Sequence, residues 1–118
     1  MSLVDKAAKL SVIIMRNYDN DGKFQQKESK NLNNFMMDVE ATQDSKNLKE
    51  AIHYFIDNNI WYYLMPAVKM RILERLFEVG SRELPYLQYY RDAVVMEPRS
   101  DTNLIADLEA EIEALNKK

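Results

Sequence analysis

The chain has no cysteine and very little glycine, proline or histidine. Among its 118 residues are two glycines, three prolines and one histidine. The lack of cysteine excludes disulfides, thiolate metal sites and cysteine nucleophiles. Sandwiches and barrels need many tight turns, so the scarcity of glycine and proline argues against an all-β fold.

A strong charge of one sign and long hydrophobic runs are also missing. The formal net charge is -3, from 16 basic and 19 acidic residues, and this balance predicts no binding to nucleic acid. The longest apolar run near the N-terminus covers residues 12–15, far fewer than a membrane span requires. No signal-peptide pattern is visible. These absences predict a cytoplasmic protein without a membrane partner.

Apolar residues recur at every third or fourth position along most of the chain, which predicts α-helices. Ser2 is a candidate N-cap for a first helix ending near Asn17, and a second helix is predicted over residues 24–40. Asp44 or Ser45 is predicted to cap a third helix. The fourth and fifth helices are predicted over residues 66–79 and 85–96, with Gly80 as a stop signal for the fourth. A sixth helix is predicted from a cap at Ser100 or Asp101 to Asn116.

These segments predict an all-α fold, a compact bundle of five or six short antiparallel helices. The length is close to that of one domain, so residues 1–118 are predicted to form a single helical domain. Its core is expected to contain seven large apolar residues: Leu10, Ile14, Phe35, Ile52, Phe55, Leu73 and Phe77.

The acidic stretch at residues 17–28 contains the most specific local pattern. Asn17, Asp19, Asp21, Gly22 and Glu28 fall at positions one, three, five, six and twelve of an EF-hand-like loop. Alternate side-chain oxygens on a tight turn can surround a cation, and the glycine permits the sharp bend. This spacing predicts a Ca²⁺ or Mg²⁺ site made by Asn17, Asp19, Asp21 and Glu28, although no second loop is present to pair with it.

The same stretch resembles a known family. The run from Asp21 through Gly22 and Phe24 to Glu28, preceded by the apolar segment 10–15, is similar to the turn of tellurite-resistance TerB-like helical domains. The resemblance covers roughly residues 7–40. It implies an Asp-Gly turn that joins two helices, an apolar plug after it, and metal-binding acidic residues, which Asp21 and Glu28 match.

A plain helix-joining turn explains the same residues without any metal. Asp-Gly is a common turn dipeptide. A glutamate in the first turn of the next helix is favoured by the positive end of the helix dipole. Both interpretations remain open at the level of sequence.

Two apolar groups are candidate protein-binding surfaces. Trp61, Tyr62 and Tyr63 are consecutive, so one helix cannot bury all three. Exposed tyrosine and tryptophan side chains are common interface hot spots. The last helix carries an apolar strip that either packs inside the domain or pairs with a second copy to form a homodimer; its members are Ile105, Leu108, Ile112 and Leu115.

Enzyme chemistry finds little support in the residue pattern. Glu50 and His53 have the Glu-x-x-His spacing of di-iron bundles, but such a site needs a second pair. Two glycines cannot build a phosphate-binding loop. The sequence therefore predicts a small non-enzymatic adaptor or regulator that binds another protein. The alternative is a divalent-metal module of the TerB-like or EF-hand-like kind. A third possibility is an enzyme accessory or a small-ligand-binding protein with a pocket between helices.

Overall fold

The computed structural model describes residues 2–20, 26–97, 99 and 101–117, except for the side chains of 16–20 and 26–29. Over these residues it has six α-helices, one 3₁₀ turn and no strand. The helices are α1 (Leu3–Asn20), α2 (Gln26–Ala41), α3 (Ser45–Asp57), α4 (Pro66–Val79), α5 (Leu84–Met96) and α6 (Thr102–Asn116), and the 3₁₀ turn is Trp61–Tyr63. The all-α prediction is therefore confirmed.

Three helix starts coincide with side chains that cap free backbone N–H groups. The hydroxyl of Ser2 accepts the N–H of Asp5 at 3.3 Å. The carboxylate of Asp44 accepts the N–H of Lys46 at 2.9 Å, and Asp101 caps α6 in the same way. Each cap satisfies donors that have no partner within the helix. The caps predicted from sequence at these positions are confirmed.

One helix end differs from the sequence-based expectation. α1 continues to Asn20 rather than ending near Asn17. The predicted start of α2 at Phe24 lies outside the described residues. Asparagine, tyrosine and aspartate each cost only about 0.7 kcal/mol in a helix relative to alanine. The tertiary packing of a long amphipathic helix can outweigh a penalty of that size.

The turns after α3 and α4 use different backbone solutions. Asn59 has φ of 60° and is the one non-glycine residue with positive φ in the part of the chain described here. Gly80 ends α4 as predicted, and its N–H donates to the carbonyl of Leu76 at 2.8 Å. Its φ of -139° is extended, so this turn does not use the left-handed conformation common at helix ends.

The chain divides into two helical units, Met1–Leu64 and Met65–Lys118. In the first unit, α1 packs against both α2 and α3. The rings of Phe35 and Phe55 meet edge to face there, with centroids 5.6 Å apart. The hydroxyl of Ser11, a buried polar group of α1, donates to the carbonyl of Ala7 at 2.8 Å. The prediction of a single domain stays a prediction.

In the second unit, α5 packs against both α4 and α6. Its buried side chains come from all three helices and include Leu73, Leu76, Leu87, Val94 and Leu108. Six of the seven predicted core residues are buried across the two units, but Phe77 is only half-buried. That part of the core prediction was wrong, because Phe77 lines an open pocket instead.

Candidate functional site

The predicted metal site falls mostly outside the described part of the molecule. Asp21 and Gly22 lie between α1 and α2 in the undescribed interval 21–25. Asn17 and Asp19 belong to α1 and Glu28 to α2, but their side chains are not described. Among the described residues, no group of three or more histidine, aspartate or glutamate side chains could hold a metal ion. The metal site stays a prediction.

The three consecutive aromatic residues of the 3₁₀ turn differ in solvent exposure. Trp61 is buried at 4% exposure, whereas Tyr62 is 72% exposed. Tyr63 has intermediate exposure. The expectation that one helical turn cannot bury all three is confirmed. Trp61 is a core side chain in this conformation, so Tyr62 is the member of the trio that a partner could contact.

The apolar strip of α6 faces the interior of the second unit. Leu108 and Ile112 are buried, while Ile105 and Leu115 are half-buried. Because α6 packs on α5, this strip is used within the chain. Leu108 and Ile112 are core residues in this conformation, and the homodimer alternative, which would require the strip to leave this packing, stays a prediction.

A groove of about 220 Å³ runs between α1 and α2 in the first unit. Each helix contributes four residues at the spacing i, i+3, i+4 and i+7, which places them on one helix face. The lining consists of Lys6, Lys9, Leu10 and Ile13 from α1 and Asn31, Asn34, Phe35 and Asp38 from α2.

The groove has an apolar base and a polar rim. Leu10 and Phe35 are buried beneath it, and Ile13 is half-exposed at its side. The ammonium of Lys6 and the carboxylate of Asp38 are 2.8 Å apart and close one end. Since Lys6 is near the start of α1 and Asp38 near the end of α2, this ion pair fits an antiparallel arrangement of the two helices.

A second, larger pocket of about 390 Å³ opens in the second unit. It is lined by residues of α4, of the α4–α5 connection, of α5 and of α6: Glu74, Phe77, Glu78, Arg82, Tyr90, Leu104 and Leu108. The rings of Phe77 and Tyr90 lie side by side, with centroids 5.6 Å apart and planes tilted by 31°. Charged and aromatic groups therefore meet in one cavity.

Arg82, which lines this pocket, forms an ion pair with Glu111 of α6. Its guanidinium donates two hydrogen bonds to the carboxylate of Glu111, at 2.9 and 2.8 Å, and its Cζ lies 4.8 Å from the centroid of the Phe77 ring. The hydrogen bonding raises the pKa of Arg82 and lowers that of Glu111. Bidentate pairs of this kind fix geometry as well as charge.

Tyr90 and Glu74 form the polar centre of the same pocket. The hydroxyl of Tyr90 donates to Oε2 of Glu74 at 3.2 Å, and the tyrosine is 8% exposed. Burial raises the pKa of Tyr90 to about 12, and the neighbouring negative charge of Glu74 acts in the same direction. The hydroxyl is therefore neutral and acts as a donor across the physiological pH range.

Sequence reasoning missed both cavities. Glu74, Arg82 and Tyr90 are distant in sequence, and their meeting depends on how α4, α5 and α6 pack. For the groove, the spacing of residues in sequence identifies each lining face separately, because Lys9 and Ile13 are four residues apart on one helix face, as are Asn31 and Phe35. The spacing does not predict that these two faces contact each other.

No protein-family model, no curated protein and no solved structure matches the chain. Over the described residues, no helix combines the length and the apolar character needed to cross a membrane. The TerB-like resemblance of residues 7–40 and the EF-hand-like spacing of residues 17–28 therefore stay predictions.

Proposed function

We propose that the chain is a non-enzymatic protein-binding adaptor or regulator, and that the α1–α2 groove receives a short segment of its partner. The observation that carries this proposal is the groove itself, with an apolar base between two rows of polar side chains. Interface cores are typically apolar and well packed, while their rims are polar. We also propose a cytoplasmic location for this activity.

The lining indicates which kind of segment would fit. Phe35 and Ile13 offer apolar contact to one inserted side chain. Lys9 and Asn34 are exposed at the rim, where they can bind carboxylate or amide oxygens of a peptide. A segment with one large apolar residue next to an acidic residue matches these groups.

Site-specific photocrosslinking tests the proposal. A photoreactive amino acid replaces Asn34 in the groove or, as a control in the same unit, the exposed Glu50 on α3. We expect a discrete partner adduct in extract of the source cells from position 34, and none from position 50. Excess unlabelled protein should compete it away, and mass spectrometry of the adduct should give a partner segment to purify.

Two neighbouring residues of α1 provide a matched pair of variants for affinity measurements. Ile13 lines the groove, whereas Val12 is 59% exposed beside it. We expect Ile13→Asp to weaken binding of the purified partner segment by about tenfold or more, and Val12→Asp to leave it within about twofold. Asn34→Tyr, which fills the groove from an exposed position, should weaken binding without disturbing the core. Equal losses from the two aspartate variants would refute the groove as the binding site.

The second candidate function, a Ca²⁺- or Mg²⁺-binding module, is favoured by the oxygen spacing of residues 17–28. Calorimetric titration with each metal tests it. We expect Glu28→Gln and Asp21→Asn to abolish any heat of binding, while Glu40→Gln, an exposed control on α2, leaves it intact. A wild-type chain that shows no heat and no change in melting temperature at millimolar metal would end this interpretation.

A further inference from the structure

The larger pocket of the second unit, lined by α4, α5 and α6 and called the α4–α6 pocket below, holds more negative than positive charge. Glu78 pairs with Arg75 at 3.1 Å, and Arg82 is matched by Glu111. Glu74 receives only the neutral hydroxyl of Tyr90 as a hydrogen-bond donor among the described residues. One carboxylate in the cavity therefore lacks an opposite charge.

The aromatic walls stand next to this carboxylate. The face of an aromatic ring attracts cations, and the attraction grows where water is partly excluded. The pocket already shows this chemistry, because the guanidinium of Arg82 lies over the Phe77 ring. Tyr90 presents a second ring beside the first.

We infer that the α4–α6 pocket binds a small organic cation, an ammonium or guanidinium group on a short aliphatic stem. Glu74 supplies the counter-charge, the rings of Phe77 and Tyr90 contact the cation, and Leu104 and Leu108 contact the stem. The volume of about 390 Å³ is within the range of roughly 300–1,000 Å³ that is typical of small-molecule sites. This site is separate from the α1–α2 groove and does not depend on it.

The positive charge of Arg82 is the main opposing factor. Its two hydrogen bonds to Glu111 neutralise most of its field at the distance of a bound ligand. The pKa of Tyr90 is raised mainly by burial, and the negative charge of Glu74 beside its hydroxyl adds to the shift. The balance favours a cation over an anion or a neutral ligand.

Three small probes of nearly equal shape and different charge test the inference: n-butylammonium, n-butanol and butyrate. Each is titrated into the ¹⁵N-labelled full chain near neutral pH and followed by NMR chemical shifts. We expect butylammonium to bind with a dissociation constant of about 1–10 mM, with shifts confined to residues that line the pocket. Butanol and butyrate should bind at least about fivefold more weakly. This comparison uses the unmodified protein, so it stands even if a variant fails to fold.

Charge-removing variants locate the site. Glu74→Gln keeps the shape and an acceptor for Tyr90, and we expect it to weaken butylammonium binding about fivefold or more. Glu109→Gln removes the same charge from an exposed position on α6 that does not line the pocket, and it should bind like wild type. Tyr90→Phe keeps the ring and frees the carboxylate, so binding should be at least as tight as in wild type. Equal binding of butanol and butylammonium, or undiminished binding by Glu74→Gln, would overturn the inference.

Discussion

Aromatic side chains differ in burial, and burial determines whether each packs in the core, hydrogen-bonds within the protein or is accessible to a partner. Phe55 is fully buried against Phe35 in the first unit. Tyr90 is buried, and its hydroxyl donates a hydrogen bond to the carboxylate of Glu74. Tyr62 is largely exposed. Sequence alone could name these residues as aromatic, but it could not assign the burial of each, because burial depends on contacts between helices.

Removal of the Phe55 ring should cost more stability than any surface change. We expect Phe55→Ala to lower the free energy of unfolding by about 3–5 kcal/mol, since it deletes a buried ring and leaves a cavity. Met37→Ala removes an exposed side chain from α2 and should change it by no more than about 0.5 kcal/mol. Urea denaturation followed by the fluorescence of Trp61 measures both. A small loss for Phe55→Ala would mean that its ring is not in the core.

Tyr90 should ionise at unusually high pH. Its pKa of about 12 in the folded chain lies above the ordinary value of 10.0. Stability that depends on the neutral hydroxyl is thus fully present below about pH 10 and is lost as the pH rises towards 12. The difference between absorbance titrations of wild type and Tyr90→Phe should isolate this tyrosine. Glu74→Gln should move its pKa towards the ordinary value, and a Tyr90 pKa unaffected by that change would contradict the contact.

Helix starts were predicted well where a local capping signal marks them. The caps at Ser2, Asp44 and Asp101 and the start at Pro66 are local signals that involve residues two to four apart, and such signals are readable from sequence. The continuation of α1 past Asn17 to Asn20 was missed because packing of the whole helix decides how far it continues.

The N-cap of α6 should make a measurable contribution to the free energy of unfolding. The carboxylate of Asp101 accepts the N–H groups of Asn103 at 2.9 Å and Leu104 at 3.2 Å. We expect Asp101→Ala to destabilise the chain by about 1 kcal/mol, and Asp101→Asn to retain most of that stability because the amide oxygen can still accept. Chemical denaturation measures the difference. Equal losses in the two variants would show that the cap contributes through charge alone.

The Arg82–Glu111 pair connects α6 to the residues that precede α5. A double-mutant cycle with Arg82→Gln and Glu111→Gln should give a coupling energy of about 0.5–1 kcal/mol, at the upper end for partly exposed pairs. The exposed pair of Lys117 and Glu113, 3.2 Å apart, is the comparison and should give about 0.3 kcal/mol.

The coupling of this pair should depend on pH with a defined sign. Its hydrogen bonds to Arg82 lower the pKa of Glu111, so the contribution is present above the ordinary glutamate pKa. It is lost as the pH falls through the lowered value. The same cycle repeated at acidic pH checks this, and coupling that persists after the carboxylate is protonated would rule out the charged pair as its source.

Across the molecule, the sequence predicted the fold class but neither cavity. Repetition of apolar residues determines that helices form and which face of each is buried. The groove needs Lys6 to meet Asp38, and the pocket needs Glu74 to meet Tyr90. Both contacts depend on which helices lie next to each other within each unit. No short-range sequence pattern predicts that arrangement.

The positive φ of Asn59 after α3 has a consequence for the tolerance of this position to mutation. A left-handed backbone suits glycine, asparagine and aspartate and is costly for β-branched residues. In a saturation library selected for folded protein, glycine and aspartate should therefore persist at position 59, while valine and isoleucine should be depleted. The neighbouring exposed Asn58 has negative φ and should accept a much broader set of side chains.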